Sequence, residues 1–207
     1  MSFASSRCRA VVSCLAAIAA SAALSGPALA DDGSAAAGCP DVPTVQAFGP
    51  WQDFADYFPA PDGGFEGGAA GWDLTGGAAA VEGNETYAVG GMGDHMSLNM
   101  PAGSSATTAR ICVGVEHRTM RFFLRGSGSG VVHVDAVYAK RTDREKSVRL
   151  ASVAAGDSWA PSPVVSMLVN EIAPDYANAL PVSLRFTAHG EGGWQIDDVH
   201  VDPYRKS

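Results

Sequence analysis

Val182-Ser-Leu-Arg-Phe-Thr-Ala-His189, then Gly190-Glu-Gly-Gly193, then Trp194-Gln-Ile-Asp-Asp-Val-His-Val-Asp202: this stretch near the end of the chain decides the fold. Apolar residues recur with partial two-residue alternation on both sides of a glycine-rich break, which is how antiparallel strands read. The same partial alternation, cut by Gly, Asn, Asp and Pro, recurs back to Gly63. It predicts further strands near Ala78–Glu82, Thr86–Val89, His95–Asn99, Ala106–Cys112, Met120–Arg125, Val131–Tyr138, Ser147–Ala154 and Pro163–Val169. Helix signals are nearly absent, with one helical turn expected at Met167–Ile172. Many short strands with turn residues between them imply an all-β protein, an antiparallel β-sandwich in a single domain.

The rest of the chain is arranged around that sandwich. Arg7 and Arg9 precede an apolar run, Val11 to Leu24, that leads to Ala28-Leu29-Ala30. The run is shorter than the roughly 20 residues of a membrane span, and small residues stand where a signal peptidase cuts, so residues 1–30 read as a signal peptide. The product is expected to be secreted, extracellular, and without a membrane span after cleavage. Residues 31–38, rich in Ala, Gly and Asp, read as a flexible leader. Residues 39–62 hold Phe48, Trp51, Phe54, Tyr57 and Phe58 without strand or helix periodicity, and read as an irregular aromatic arm packed on the sandwich of residues 63–207.

Loss of the signal peptide's two arginines leaves 12 basic against 22 acidic side chains. Such a surface repels phosphate backbones, so no nucleic acid is expected as partner. Cys8 and Cys14 leave with the signal peptide, and Cys39 and Cys112 remain as an even pair in an oxidising compartment. They read as one disulfide, the alternative being two buried free thiols.

Three segments carry a family resemblance: Asp62-Gly-Gly-Phe-Glu66 followed by Gly71-Trp72, then Gly76-Gly77-Ala78, and Gly193-Trp-Gln-Ile-Asp-Asp-Val199. Together they resemble a jelly-roll of the galactose-binding-domain type, a superfamily rich in carbohydrate-binding modules. The span from Cys39 to Tyr204 also resembles secreted proteins of soil bacteria. The resemblance implies a jelly-roll whose first motif and last strand meet at a structural calcium ion. Glu66 and Asp197 or Asp198 would be its ligands, with the carbonyl of Gly64 helping; calcium takes about six to eight oxygens, which such a set can begin to supply. The alternative is that Glu66 is a solvated acid and that one of the two aspartates caps a bulge.

Other constellations point less far. No nucleophile elbow, phosphate loop, zinc-helix motif or Cys-x-x-Cys occurs, so no enzyme is expected. Gly126-Ser-Gly-Ser-Gly130 reads as a hairpin turn. His133 with Asp135, and His200 with Asp198 and Asp202, share strand faces by two-residue spacing and read as solvated faces. Trp72, Trp159 and Trp194 read as core, whereas Tyr57, Tyr87 and Tyr176 stand near turn residues and are the candidates for an exposed ring on which a sugar stacks. Arg121 and Arg125 share a strand face and are expected to pair with acids. The function expected is a non-catalytic binding module for an extracellular glycan or another cell-envelope component. The alternatives are a structural or interaction protein without a small ligand and a glycan-active enzyme.

Overall fold

The computed structural model describes residue 39 and residues 42–139, 144–172 and 179–203. The expected signal peptide, the leader and Tyr176 lie outside these residues. In chain order the strands are β1 (Phe58–Pro59), β2 (Asp73–Thr75), β3 (Ala79–Glu82), β4 (Met96–Pro101), β5 (Ser105–Thr107), β6 (Ile111–Val113) and β7 (Thr119–Ser127). They continue as β8 (Gly130–Ala139), β9 (Glu145–Val153), β10 (Ala160–Pro161), β11 (Val165–Ser166), β12 (Leu180–Gly190) and β13 (Gly193–Asp202), with one helical turn, α1 (Val169–Ile172), before β12. One sheet runs β10-β7-β13-β4-β3, with β1 added on β13 and β11 on β7; the other runs β2-β5-β12-β8-β9, with β6 on β12. The chain passes from one sheet to the other between β1 and β2, β2 and β3, β4 and β5, β6 and β7, β7 and β8, β9 and β10, β11 and β12, and β12 and β13. The protein is therefore an antiparallel β-sandwich.

Alternation builds its core. Val132, Val134 and Ala136 of β8 and Val182, Leu184, Phe186 and Ala188 of β12 point inward from one sheet. Leu98, Met100, Met120, Phe122, Leu124, Trp194 and Ile196 meet them from the other, all buried in one apolar cluster. Trp72 lies 6.0 Å from Phe186 and Trp159 is also buried, so the three tryptophans read as core are core.

Three expectations change. Ala106–Cys112 is two strands, because Thr108 turns its N–H to the carbonyl of Leu184 and its Oγ1 accepts from the Leu184 N–H, which kinks the chain between β5 and β6. Thr86–Val89 is no strand: the N–H groups of Tyr87 and Val89 donate to the carboxylate of Glu85 and leave nothing for a ladder. Of Pro163–Val169 only Val165–Ser166 pairs, with Pro163 lacking a donor and Leu168 in a left-handed conformation (φ 47°). The Gly-Phe-Glu motif is a run of turns, held by the Asp62 carboxylate, which accepts from the N–H of Gly67 (2.8 Å) and of Ala70 (2.6 Å). No helix among the described residues is long and apolar enough to cross a membrane.

The arm lies on the outer face of the seven-stranded sheet. Cys39 is bonded to Cys112 of β6, with Cα atoms 5.5 Å apart. Beyond an isolated pairing of Val45 with Tyr57, Phe48 stacks on Phe123 of β7 at 5.4 Å, and the Arg121 guanidinium lies over the Phe48 ring at 4.7 Å. Arg121 donates through Nε (3.0 Å) and Nη2 (2.7 Å) to the Ser162 carbonyl and through Nη1 to Asp53 (2.8 Å). Tyr57, expected at the solvent edge, is buried instead, and its hydroxyl donates to Asp53 at 2.8 Å. Burial works against ionisation of Asp53, but the hydrogen bonds from Arg121 and Tyr57 outweigh it and hold the carboxyl below its ordinary value. His200, Asp198 and Asp202 are buried rather than solvated; the His200 ring meets Phe48 of the arm edge-on at 5.7 Å, and burial holds its imidazole below its usual range. Replacing Asp53 by Ala strands the Arg121 charge and the Tyr57 hydroxyl together. A loss of about 2 kcal/mol in urea unfolding is expected, against almost none for Asp56→Ala nearby.

Candidate functional site

Where the last strand passes the first motif, β13 bulges. Asp197 pairs with Phe123 and His200 with Arg121, so Asp198 and Val199 together oppose Phe122 alone. The extra residue lets Val199 enter the core while Asp198 takes φ 47° and turns its side chain toward the loop of residues 83–95. The Val199 N–H donates to the Gly63 carbonyl (3.0 Å), which seats the Asp62–Glu66 turns against the bulge. A Cβ on Gly64 would lie 3.4 Å from Asp198 Oδ1 and 3.7 Å from Asp94 Oδ1; one on Gly90 would lie 2.4 Å from Asp94 Oδ2. Glycine is needed at 90 so that the backbone can close on the carboxylates.

The result is a nest of acids from four places in the chain. Ligand oxygens of Glu85, Asp94 and Asp198 all lie within 4.8 Å of one another. Glu66 reaches in from the side, accepting the N–H of His95 (2.8 Å) and of Met96 (2.6 Å). These donors outweigh a small burial penalty and hold Glu66 below the usual carboxylate range. The others are pushed the opposite way. Burial, with the adjacent Glu66, raises Asp94 to about 6. Burial, then the charges of Asp94 and Glu85, raise Asp198 to about 7. Burial raises Asp197 to about 9, with a Glu85 N–H opposing and Asp198 and Asp94 adding to it.

Both carboxylate oxygens of Asp94 and Oδ2 of Asp198 are buried with no hydrogen-bond partner. Three orphaned anionic oxygens facing each other would be costly to bury unless protons or a cation met them. The donor set is hard oxygen throughout, with glycine backbone on two sides, and it fits a calcium-sized ion. Asp197 is placed differently from Asp198: its Oδ1 accepts the Asp198 N–H (2.8 Å) and its Oδ2 the Glu85 N–H (3.0 Å), so it caps the bulge and ties down the loop. Glu85 and Asp94 belong to this nest and sequence reading passed over both. The one signal was Asp94 beside Gly90-Gly91, a glycine loop with an acid on it.

A second feature lies on the outer face of the same sheet. Asn99 of β4, Gln195 of β13 and Arg125 of β7 are consecutive partners across three strands, so their side chains form one row, about 10 Å from first to last strand. They line a depression of 290 Å³ with Gly126, Ser127, Asp157, Gly193 and Trp194. Arg125 was expected to pair with an acid and does not among the described residues; its Nε donates to Gln195 Oε1 and its guanidinium sits 5.0 Å from the Trp159 ring. The terminal nitrogens of Arg125 and the Trp194 Nε1–H have no protein acceptor among the described residues. Gly126 has no side chain above Trp194, where a Cβ would come within 2.7 Å of the indole.

Of the three tyrosines named as candidate stacking platforms, only Tyr87 is described and exposed; its ring meets Trp51 edge-on at 4.7 Å and its hydroxyl donates to the Trp159 carbonyl (3.1 Å). Tyr57 is buried in the arm. No protein-family model and no curated protein matches the chain. Among solved structures, the xylan-binding CBM22-1 domain of a Paenibacillus barcinonensis xylanase is similar at 12% identity, TM-score 0.49, over 70% of this chain and 93% of that one. A Clostridium thermocellum endo-1,4-β-D-xylanase with its CBM22-1 module, solved with xylohexaose, is similar at 16% identity and TM-score 0.48 over 67% of this chain, which spans only 27% of the xylanase. A family 61 carbohydrate-binding module in complex with β-1,4-galactotriose is similar at 16% identity and TM-score 0.40, over 70% of this chain and 96% of that one.

Proposed function

We propose that the protein is an exported, non-catalytic module that binds a glycan, with a structural calcium ion in the acidic nest. The observation that carries the glycan reading is the Asn99–Gln195–Arg125 row. Planar amide and guanidinium groups set side by side offer paired donors and acceptors to vicinal hydroxyls, and Ser127 and Asp157 add to them at the rim. Stacking on Trp159 and the bond to Gln195 hold Arg125 in place before any ligand arrives, which lowers the ordering cost of binding. Two rungs of sheet, about 10 Å, match a short run of sugar rings rather than a single one.

Calcium is supported by the orphaned oxygens of Asp94 and Asp198, with Glu66 and Glu85 completing a carboxylate set and Gly64 and Gly90 closing the backbone around it. Its role is to hold the 83–95 loop and the Asp62–Glu66 turns on the bulge of β13. It supplies charge and no chemistry.

The test is a glycan array followed by calorimetry with the best oligosaccharide. Arg125→Ala and Gln195→Ala should each weaken binding about tenfold or more, since each removes a hydrogen-bonding group worth roughly 1.4 kcal/mol. Arg149→Ala, on the other sheet, should leave affinity unchanged. Oligosaccharide binding that survives both row variants would move the site elsewhere, and an array with no binding at all would favour an interaction protein without a small ligand.

A further inference from the structure

The outer face of the six-stranded sheet holds a pair of imidazoles that neither the acidic nest nor the depression uses. His133 points outward from β8 between the inward Val132 and Val134, and His189 is the last outward residue of β12. In the register His133 faces Thr187 and His189 faces Val131, so the two histidines stand on a diagonal of one antiparallel pair. Their ring centres are 5.0 Å apart and their planes are inclined by 46°.

That spacing has a specific chemical meaning. A transition metal sits about 2.0–2.1 Å from an imidazole nitrogen, which puts the ring centre about 3.2 Å from the ion. Two rings on one ion, at bond angles between about 90° and 110°, then have centres about 4.5–5.2 Å apart. The observed separation falls within that window without movement of either strand. Diagonal neighbours on adjacent antiparallel strands are also within reach of each other by backbone geometry alone.

The surroundings favour a ligand role for His133. Its Nδ1 lies 2.8 Å from Ser152 Oγ on β9, and donating the Nδ1 proton to that hydroxyl leaves a bare lone pair on Nε2. Burial, with the nearby Arg149 charge next, holds the imidazole below its ordinary pKa, so it is neutral near pH 7. Arg149 is itself bound to Asp135 at 2.6 Å, which offsets the repulsion a cation would meet there. His189 is exposed.

We propose that His133 and His189 together bind one divalent transition-metal ion, Cu²⁺ or Zn²⁺, on the open face of the six-stranded sheet, with water filling the remaining positions. Two imidazoles select such ions over calcium, which prefers the oxygen ligands of the acidic nest. The site is separate from the glycan reading and stands or falls without it.

The experiment is calorimetric titration of untagged full-length protein with ZnCl₂ and with CuCl₂, in buffer holding millimolar calcium so that the carboxylates are occupied. One ion per chain is expected, with Cu²⁺ tighter than Zn²⁺. His133→Gln and His189→Gln should each abolish the titration, and Ser152→Ala should weaken it about tenfold by freeing the His133 ring. All three lie at the surface, so their melting temperatures in the absence of metal should match the parent, and a variant that fails this check is replaced by His→Asn at the same position. In two-dimensional NMR, the ring signals of both histidines should shift with the same concentration dependence. No binding in the parent, binding that survives either histidine variant, or binding lost in Asp94→Asn instead would each overturn the proposal.

Discussion

Adding calcium to chelator-treated protein at pH 8 should raise its melting temperature by about 5–10 °C, and the same addition at pH 5 should raise it far less. The size follows from mass action: a ligand at about a hundred times its dissociation constant adds roughly 2.7 kcal/mol, and each kcal/mol moves the midpoint of a chain this long by about 2–4 °C. The pH dependence follows from the acidic nest. Asp94, Asp198 and Asp197 titrate near 6, 7 and 9 in the folded protein, against an ordinary 3.8. Between those limits the folded chain holds protons that the unfolded chain has released, so without metal stability falls as pH rises from about 4 through about 9. Calcium requires the deprotonated carboxylates and must displace those protons at pH 5, whereas at pH 8 it meets charge that nothing else compensates.

One substitution separates this from a general salt effect. Asp94→Asn removes a charge whose two oxygens have no partner, so in chelator it should melt higher than the parent, and in calcium lower. The two curves must cross. A parent melting temperature that ignores both chelator and calcium at pH 8 would mean that the nest is satisfied by protons alone, and the calcium reading would be withdrawn.

The second large effect concerns the bridge between Cys39 and Cys112. It closes a loop of 73 residues, for which the chain-entropy model gives about 4 kcal/mol. The double variant Cys39→Ser/Cys112→Ser should lose about that much in urea unfolding and about 10 °C in melting temperature. The arm should also loosen first: amides between 45 and 60 should exchange faster in the variant, while those of β12 and β13 change only as global stability does. An effect below about 1 kcal/mol would mean that Phe48 on Phe123 and Asp53 on Arg121 hold the arm without help from the bridge.

What the sequence determined by itself was whatever depends on local period and on counting. Alternation in β8, β12 and β13 announces which residues face inward, because a strand's side chains alternate whatever sheet it joins. Beyond the expected signal peptide the sequence holds only Cys39 and Cys112, which admit one intramolecular bridge, and Cys39 is bonded to Cys112. Trp72 reads as core because it sits in the first motif, Trp194 because it opens the last strand and Trp159 because it packs next to Pro161, and all three are buried.

Tertiary structure decided the rest, and the reason is sequence distance. Asp94 and Asp198 share a site although 104 positions separate them in the numbering, and nothing local to either marks it. The bulge at Asp198 gives the two adjacent aspartates separate roles, one capping backbone and one facing the nest, a difference set by how β13 pairs with β7. Tyr57 looked exposed because prolines and aspartates surround it, yet Asp53 and Arg121 draw its hydroxyl inward beneath the arm. The Asn99–Gln195–Arg125 row and the His133–His189 diagonal exist only in the register of neighbouring strands, and register is fixed by the packing of a whole face rather than by any residue in the row.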